Sequence, residues 1–296
     1  MDSIKDRYSP LLARMLSGAK QQKTLSDTDV YQDGEIGLLP YIDQIIEDHL
    51  LPGSGIRGME HLEALLDRAR SGETCLLLLE HYSNFDLPGL HYLLRKAGGR
   101  GPELADSLVS IAGIKLSESN PVVNAFAQAY TRIVIYPSRS LEIIKRNFKD
   151  PNKLYHEIRR SMAINRAAMK ALGTVKRSGK IVLVFPAGTR YRPGDPATKR
   201  GVREISSYIK SFDCFCLMAV NGNILRINPS GEMEEDLLHS DRLVYTASAP
   251  QKSADLLRHI KEEHHHREDK KQELVDHIME ELDRMHSEVE AERKAP

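Results

Sequence analysis

The chain has 296 residues, enough for one large domain or for a domain with an appended piece. Apolar residues make up 41% of it, so a sizeable core is expected. Lys plus Arg (42) balance Asp plus Glu (42), so the overall charge gives no general attraction for nucleic acid.

Cysteine use and hydropathy indicate the compartment. Cys75, Cys214 and Cys216 lie in apolar surroundings, and Cys-Phe-Cys is not a zinc spacing, so we expect buried thiols in a reducing compartment. No apolar run approaches the roughly 20 residues that a membrane span needs. The first residues lack the apolar core of a signal peptide. These features predict a soluble, cytoplasmic protein.

Residues 1–70 are predicted to form an N-terminal helical subdomain that covers one side of the core. Pro40 opens a helix whose apolar face includes Ile42, Ile45 and Ile46. A further helix is expected over residues 61–70. No clear strand pattern occurs in this part.

Residues 71–296 are predicted to form an α/β domain with a C-terminal helical tail. Short apolar runs followed by turn residues indicate strands at 75–79, 108–112, 133–136, 181–185, 214–220 and 243–247. Helical patterns separate most of them. This alternation is typical of an α/β fold with a mixed, largely parallel sheet flanked by helices.

Two long helices are predicted from apolar spacing. One ends at Gly173 and is expected to present one apolar face, made of Leu154, Ile158, Met162, Met169 and Leu172. The tail also has an apolar stripe, made of Leu274, Ile278, Leu282, Met285 and Val289. The tract His264-His265-His266 resembles a metal-binding tract, but a solvated helical face is the preferred interpretation.

A polar loop follows the strand at 75–79 and contains His81 and Asp86. An α/β fold exposes reactive side chains on such loops. A His has an ordinary pKa of about 6.5, and a carboxylate on its other ring nitrogen would fix the tautomer. The pair is therefore a candidate general base and its orienting partner. Alternatively Asp86, like Ser83 and Asn84, is an N-cap of the next helix.

The loop after the strand at 181–185 is basic. Arg190 and Arg192 alternate there, so both can point the same way if the loop is extended, and Pro186 and Gly188 shape the turn before them. Paired guanidinium groups beside backbone N–H groups suit a phosphate monoester. The alternative is a basic loop exposed to solvent. A third strand end carries Arg139. Because strand ends of one sheet meet at one edge, a shared site is favoured.

Two segments resemble motifs of the glycerolipid acyltransferases, which acylate glycerol 3-phosphate or lysophosphatidate. His81-x4-Asp86 is similar to the family's first motif. The family's third motif, Pro-Ser-Gly-Gly-Arg-x-Arg-Pro, is similar to Pro186-Ala187-Gly188-Thr189-Arg190-Tyr191-Arg192-Pro193. The resemblance extends over residues 72–250 and is greatest to the soluble plastid-type glycerol-3-phosphate acyltransferase.

The resemblance implies a role for each of these residues. His81 would be the general base and Asp86 its partner. Arg190 and Arg192 would bind the substrate phosphate, and Arg139 falls where the family's second motif has basic residues.

The same resemblance implies a supporting loop and a fourth motif. Ser83, Pro186, Gly188 and Thr189 would hold the catalytic and phosphate-binding loops in shape. The apolar residues 217–220 are similar to the fourth motif, which is a strand.

The implied reaction moves a fatty acyl group from a thioester of acyl carrier protein or coenzyme A to the sn-1 hydroxyl of glycerol 3-phosphate. The thioester is a co-substrate, and neither a cofactor nor a metal is expected. Nucleic acid is not an expected partner. Peripheral contact with a membrane is left open, because the product is a lipid.

Two departures from the family bear on the acceptor. Many membrane-bound lysophosphatidate acyltransferases have Asn before the motif His and Glu in the third motif, where this chain has Glu80 and Ala187. The lack of that Glu favours glycerol 3-phosphate. Lysophosphatidate is the alternative acceptor. A non-catalytic lipid- or phosphate-binding protein on the same fold is an alternative of another class.

Overall fold

The computed structural model of the protein describes residues 2–20, 24–118, 120–138, 140, 144, 146, 150–228, 235–263 and 269–294. The chain forms two compact units. The first unit is built from Met1–Arg7, Asp43–Leu108 and Lys176–Pro296, and the second from Tyr8–Ile42 and Val109–Val175. The domain boundary expected between residues 70 and 71 stays a prediction. The tract His264-His265-His266 lies outside the described residues.

The described helices follow one another along the whole chain. In chain order they are α1 (Ile4–Gly18), α2 (Leu39–His49), α3 (Met59–Arg70), α4 (Asp86–Lys96), α5 (Gly101–Ser107), α6 (Lys115–Glu118), α7 (Pro121–Gln128), α8 (Pro151–Val175), α9 (Ile205–Ser211), α10 (Ser253–Glu263) and α11 (Lys270–Lys294). Short 3₁₀ helices occur at Ile36–Leu38 and Pro196–Lys199.

The described strands are mostly short. In chain order they are β1 (Tyr31–Gln32), β2 (Gly55–Arg57), β3 (Cys75–Leu79), β4 (Leu108–Gly113), β5 (Arg132–Ile135), β6 (Ile181–Val184), β7 (Cys214–Asn221), β8 (Leu225–Arg226), β9 (Leu237–Leu238), β10 (Val244–Ala247) and β11 (Gln251–Lys252).

The sheet of the first unit is centred on β3. β3 pairs in parallel with β6 on one side, where Cys75 lies opposite Ile181, and with β7 on the other, where Cys75 lies opposite Cys214. β10 runs antiparallel to β7 and parallel to β2. Every residue of β3, β6 and β7 is buried, as expected for strands covered on both faces.

Strand β5 lies between the two strands with which it pairs in the second unit. β5 pairs in parallel with β4 and antiparallel with β1. Helix α7 begins after Asn120, whose side chain accepts hydrogen bonds from the backbone N–H groups of Val122 (2.8 Å) and Val123 (3.4 Å). The predicted α/β class, with a mixed, mostly parallel sheet flanked by helices, is confirmed.

Among the described residues, the structure adds five strands that the sequence did not predict, namely β1, β2, β8, β9 and β11. β1 and β2 lie within residues 1–70 and are two and three residues long. Such short strands show no alternating pattern of polarity in the sequence. They form because a neighbouring strand supplies their hydrogen-bond partners. The three cysteines are free and buried, as predicted. Among the described residues, no helix is both long and apolar enough to cross a membrane.

The apolar stripe predicted for α11 is confirmed, whereas the one predicted for α8 is partly wrong. All five stripe residues of α11 are buried. In α8 the buried side is formed by Ile164, Ala168 and Leu172, while Met162 and Met169 are 58% and 63% exposed. Successive residues of a helix are rotated by about 100° about its axis, so Leu172 lies at the edge of the buried side. Ala168 lies on one side of that edge and faces inward, whereas the two methionines lie on the other side and face solvent.

Candidate active site

The loop between β3 and α4 brings His81 and Asp86 together. Nδ1 of His81 lies 2.9 Å from Oδ2 of Asp86. The Asp86 side chain is buried, whereas that of His81 keeps 17% of its surface exposed. Because a carboxylate accepts hydrogen bonds, this contact places the proton on Nδ1 and leaves Nε2 as the basic nitrogen. The pair therefore has the arrangement of a general base with an orienting carboxylate.

Asp86 also fixes the backbone of the loop. Its Oδ2 accepts hydrogen bonds from the backbone N–H of Tyr82 (2.6 Å) and of Ser83 (2.8 Å). The N-cap position of α4 is occupied by Phe85, and Asp86 lies in the first turn with its side chain directed back into the loop. The alternative in which Asp86 is the N-cap of this helix is therefore wrong.

Ser83 anchors the same loop to the rest of the first unit. Its hydroxyl donates to the backbone carbonyl of Leu225 (2.8 Å) and accepts from the N–H of Phe85 (3.0 Å). The Tyr245 hydroxyl donates to the backbone carbonyl of Asp86 (2.8 Å). Both residues are buried, so the loop is held from two sides.

The loop after β6 contacts the His81 loop directly. The imidazole of His81 stacks on the ring of Phe185, with centroids 4.0 Å apart and planes at 22°. The backbone N–H of Tyr191 donates to the carbonyl of His81 (2.8 Å). Since Tyr191 lies between Arg190 and Arg192, the basic segment passes beside the histidine.

Arg190 forms an ion pair with Asp236. Only 10% of the Arg190 side chain and 2% of the Asp236 side chain are exposed. The same carboxylate accepts from Asn84 Nδ2 (3.2 Å) and from the backbone N–H of Asn228 (3.2 Å). Burial raises the pKa of the Asp236 carboxyl, and the Arg190 guanidinium opposes that shift. Asp236 thus links the two loops through Asn84 and Arg190.

The other predicted cations differ from Arg190 in their surroundings. The Arg192 side chain is exposed, and its backbone N–H donates to the Thr198 hydroxyl (2.8 Å). Thr189 is half-buried on the same loop. Arg139 lies outside the described residues, so its predicted place in the site stays a prediction.

Gly188 and Pro186 shape the turn at the start of the basic loop. Gly188 has a φ of +63°, and its N–H donates to the Phe185 carbonyl (2.9 Å). A Cβ on Gly188 would approach Cγ1 of Val202 at 3.2 Å. The Pro186 carbonyl accepts from the N–H of Val202 (2.8 Å), so the turn is fastened to the segment that follows it.

Glu80 forms a buried hydrogen-bond network next to His81. Its carboxylate accepts from the Tyr82 hydroxyl (2.9 Å), the backbone N–H of Val220 (2.9 Å) and Nδ1 of His286 (3.0 Å). Burial raises the pKa of Tyr82, and the negative charge of Glu80 raises it further, so the hydroxyl remains a donor. Helix α11 thereby contacts the residue that precedes the histidine.

Neither Asp236 nor His286 could be recognised as a site residue from the sequence. Asp236 belongs to no recognised motif, and His286 follows the buried stripe of α11 like any polar residue of a helical surface. Glu80 carried a weak signal, since it is a carboxylate directly after five apolar strand residues. Among the described residues, no group of three or more His, Cys, Asp or Glu side chains is placed to hold a metal ion.

The family model described as Acyltransferase matches residues 56–210, slightly more than half of the 296-residue chain. The chain therefore belongs to this family, the glycerolipid acyltransferases that its first and third motifs indicate. The match includes His81, Asp86 and the basic loop, and it ends before Asp236 and His286. No curated protein matches the chain.

Replacing Asp86 should destabilise the first unit as well as affect any activity. Asp86→Ala leaves the backbone N–H groups of Tyr82 and Ser83 without their acceptor, and a buried unsatisfied donor costs about 1–3 kcal/mol. We expect the midpoint of chemical unfolding to fall accordingly. Asp283→Ala is the control, because Asp283 is exposed and its ion pair with Lys199 is worth less than about 1 kcal/mol. Equal midpoints for the two variants would contradict the structural role of Asp86.

Proposed function

We propose that the protein transfers a fatty acyl group from a thioester of acyl carrier protein or coenzyme A to the sn-1 hydroxyl of glycerol 3-phosphate, giving lysophosphatidate. The observation that carries the proposal is the direct contact between the His81–Asp86 pair and the loop of Arg190. A substrate that carries both a hydroxyl and a phosphate needs a base for the hydroxyl and a cation for the phosphate, and this site places the two side by side. Family membership supports the acyl transfer itself.

His81 is the proposed general base. Its Nε2 removes the proton of the acceptor hydroxyl as that oxygen attacks the thioester carbonyl. The tetrahedral intermediate collapses, the carbon–sulfur bond breaks, and the thiolate takes the proton back from the imidazolium. Asp86 keeps the Nδ1–H bonded and stabilises the imidazolium. No metal or further cofactor takes part in these steps.

Arg190 and Arg192 are the proposed phosphate ligands, with Arg139 as a third. Arg190 is already oriented by Asp236, and it retains guanidinium N–H groups for a second acceptor because its hydrogen bond to Asp236 uses a single nitrogen, Nη1. Arg192 is exposed and adds a second positive charge. Holding the phosphate fixes the hydroxyl relative to the base, which reduces the entropy cost of the reaction.

The supporting residues act on loop geometry in this proposal. Ser83 holds the His81 loop, and Pro186, Gly188 and Thr189 belong to the turn that presents Arg190. The N–H of Gly188 donates to the Phe185 carbonyl, so this glycine shapes the loop.

Lysophosphatidate is the second candidate acceptor. It carries the same phosphate, and buried Ala187 matches the third motif of neither acceptor class. A non-catalytic lipid- or phosphate-binding protein is the alternative of another class, and the intact pairing of His81 with Asp86 favours an enzyme over it. We place the reaction in the cytoplasm, where both proposed substrates are available.

Removing the base should abolish transfer without unfolding the protein. We expect His81→Ala to lower kcat by about 10²–10⁴-fold, the usual contribution of a positioned general base. The measurement is the rate at which free thiol is released from the thioester in the presence of glycerol 3-phosphate. His259→Ala, at an exposed histidine of α10, should keep full activity. Unchanged turnover of His81→Ala would remove the catalytic assignment.

Weakening the phosphate contact should raise the KM for the acceptor and leave the KM for the thioester unchanged. For Arg190→Gln we expect the KM for glycerol 3-phosphate to rise roughly 10–100-fold, since a charge-assisted hydrogen bond contributes about 1.5–3 kcal/mol. The KM for the thioester should stay within about twofold of wild type, a margin far below one such bond. Arg203→Gln, an exposed arginine of the following segment, is the control. A KM for glycerol 3-phosphate that does not move would exclude this loop from the phosphate site.

Direct competition should separate the two acceptors. With one thioester, we expect kcat/KM to be higher for glycerol 3-phosphate than for lysophosphatidate. The measurement is the acylation rate of each acceptor alone and of both together, with products separated by chromatography. Exclusive use of lysophosphatidate would leave the assignment as an acyltransferase intact and show that glycerol 3-phosphate is not the acceptor.

A further inference from the structure

Helix α8 exposes a straight row of large apolar side chains. Tyr155, Met162 and Met169 are 57%, 58% and 63% exposed. They are spaced two helical turns apart, so they lie on one side of the helix over a length of about 21 Å. The opposite side, with Ile164 and Val175, is buried. Apolar residues scattered singly are common on protein surfaces, whereas exposed apolar residues grouped together and rimmed by polar residues mark interaction sites.

Basic residues accompany this row. α8 contains five Lys and Arg against one Glu, within a chain whose charges balance overall. Arg159, Arg166 and Lys170 are exposed, and Arg159 lies over the Tyr155 ring at 5.8 Å. None of the three pairs with a carboxylate within the part of the chain that the structure describes. Their charges are therefore available to an anionic partner.

The occupant of such a surface needs an anionic layer and apolar material just beneath it. Methionine and tyrosine side chains would enter the apolar material, while the arginine and lysine side chains extend to the anionic groups with their stems along the boundary. The surface of an anionic phospholipid bilayer has both layers. An acidic protein offers the charges but seldom a continuous apolar layer below them.

We propose that the exposed side of α8 docks on anionic phospholipid bilayers. The docking face consists of Tyr155, Arg159, Met162, Arg166, Met169 and Lys170. It holds the protein at the boundary between water and lipid, as a helix lying in the membrane plane does. The inference goes beyond the proposed reaction and does not depend on it, because binding is measured without turnover.

The test is binding of the full chain to vesicles, read by co-flotation. Vesicles of phosphatidylcholine with phosphatidylglycerol are compared with vesicles of phosphatidylcholine alone. We expect binding to the anionic vesicles, weakening as salt rises because salt screens the basic side chains. Binding that is equal on both vesicle types, or absent from both, would overturn the proposal.

Two double variants test the face itself. Arg159→Gln with Arg166→Gln should weaken binding roughly 25-fold, because each basic residue near an anionic surface contributes about fivefold. Met162→Ser with Met169→Ser should weaken binding at high salt as well as at low salt. Both pairs are exposed, so folding, checked by thermal melting, should be preserved.

Matched controls come from other exposed positions. Lys270→Gln with Lys271→Gln removes the same charge from α11, and Ile36→Ser with Leu51→Ser removes exposed apolar side chains elsewhere. Both controls should bind vesicles like the wild type. If the α8 variants also bind like the wild type, or lose only binding to acyl carrier protein, the membrane assignment is wrong. Acylation of soluble glycerol 3-phosphate, measured in parallel, reports on the proposed function separately.

Discussion

The buried carboxylate of Asp86 is the contact on which the candidate site depends. One oxygen accepts from the imidazole of His81 and from two backbone N–H groups of the loop. The same interaction therefore sets the tautomer of the base and the conformation of the chain that carries it. A loop fixed in this way needs little reorganisation when the imidazole becomes charged, which is the advantage of a preorganised site.

A second buried carboxylate, that of Asp236, holds the Arg190 guanidinium in place. Arg190 is held by Asp236 at a place with little solvent, and Asn84 connects that pair to the His81 loop. An unpaired guanidinium at such a site would carry a large desolvation cost, so Asp236 makes the buried position tenable before any phosphate arrives. In the proposed reaction the same contact keeps the guanidinium aimed while a second anion binds.

The parts that the sequence predicted well are those with local signals. Neighbouring residues alone define the five consecutive apolar residues of β3 and the His81-x4-Asp86 spacing, so both can be recognised in the sequence. Asp236 and His286 are not, since their partners lie 46 and 206 positions away and only the fold brings them together. The inward side of α8 was predicted wrongly because small residues such as Ala168 line it, and hydrophobic size alone favoured the methionines.

The position of β7 has a consequence for the extent of the functional unit. β7 pairs with β3 along the whole length of that strand, and its Val220 donates to Glu80, yet it lies just beyond the segment that the family model matches. A fragment trimmed to residues 56–210 would leave β3 as an open sheet edge with five apolar residues, which is a template for self-association. The smallest piece worth expressing must therefore continue past the matched segment to include β7, and to α11 if Glu80 is to keep its histidine partner.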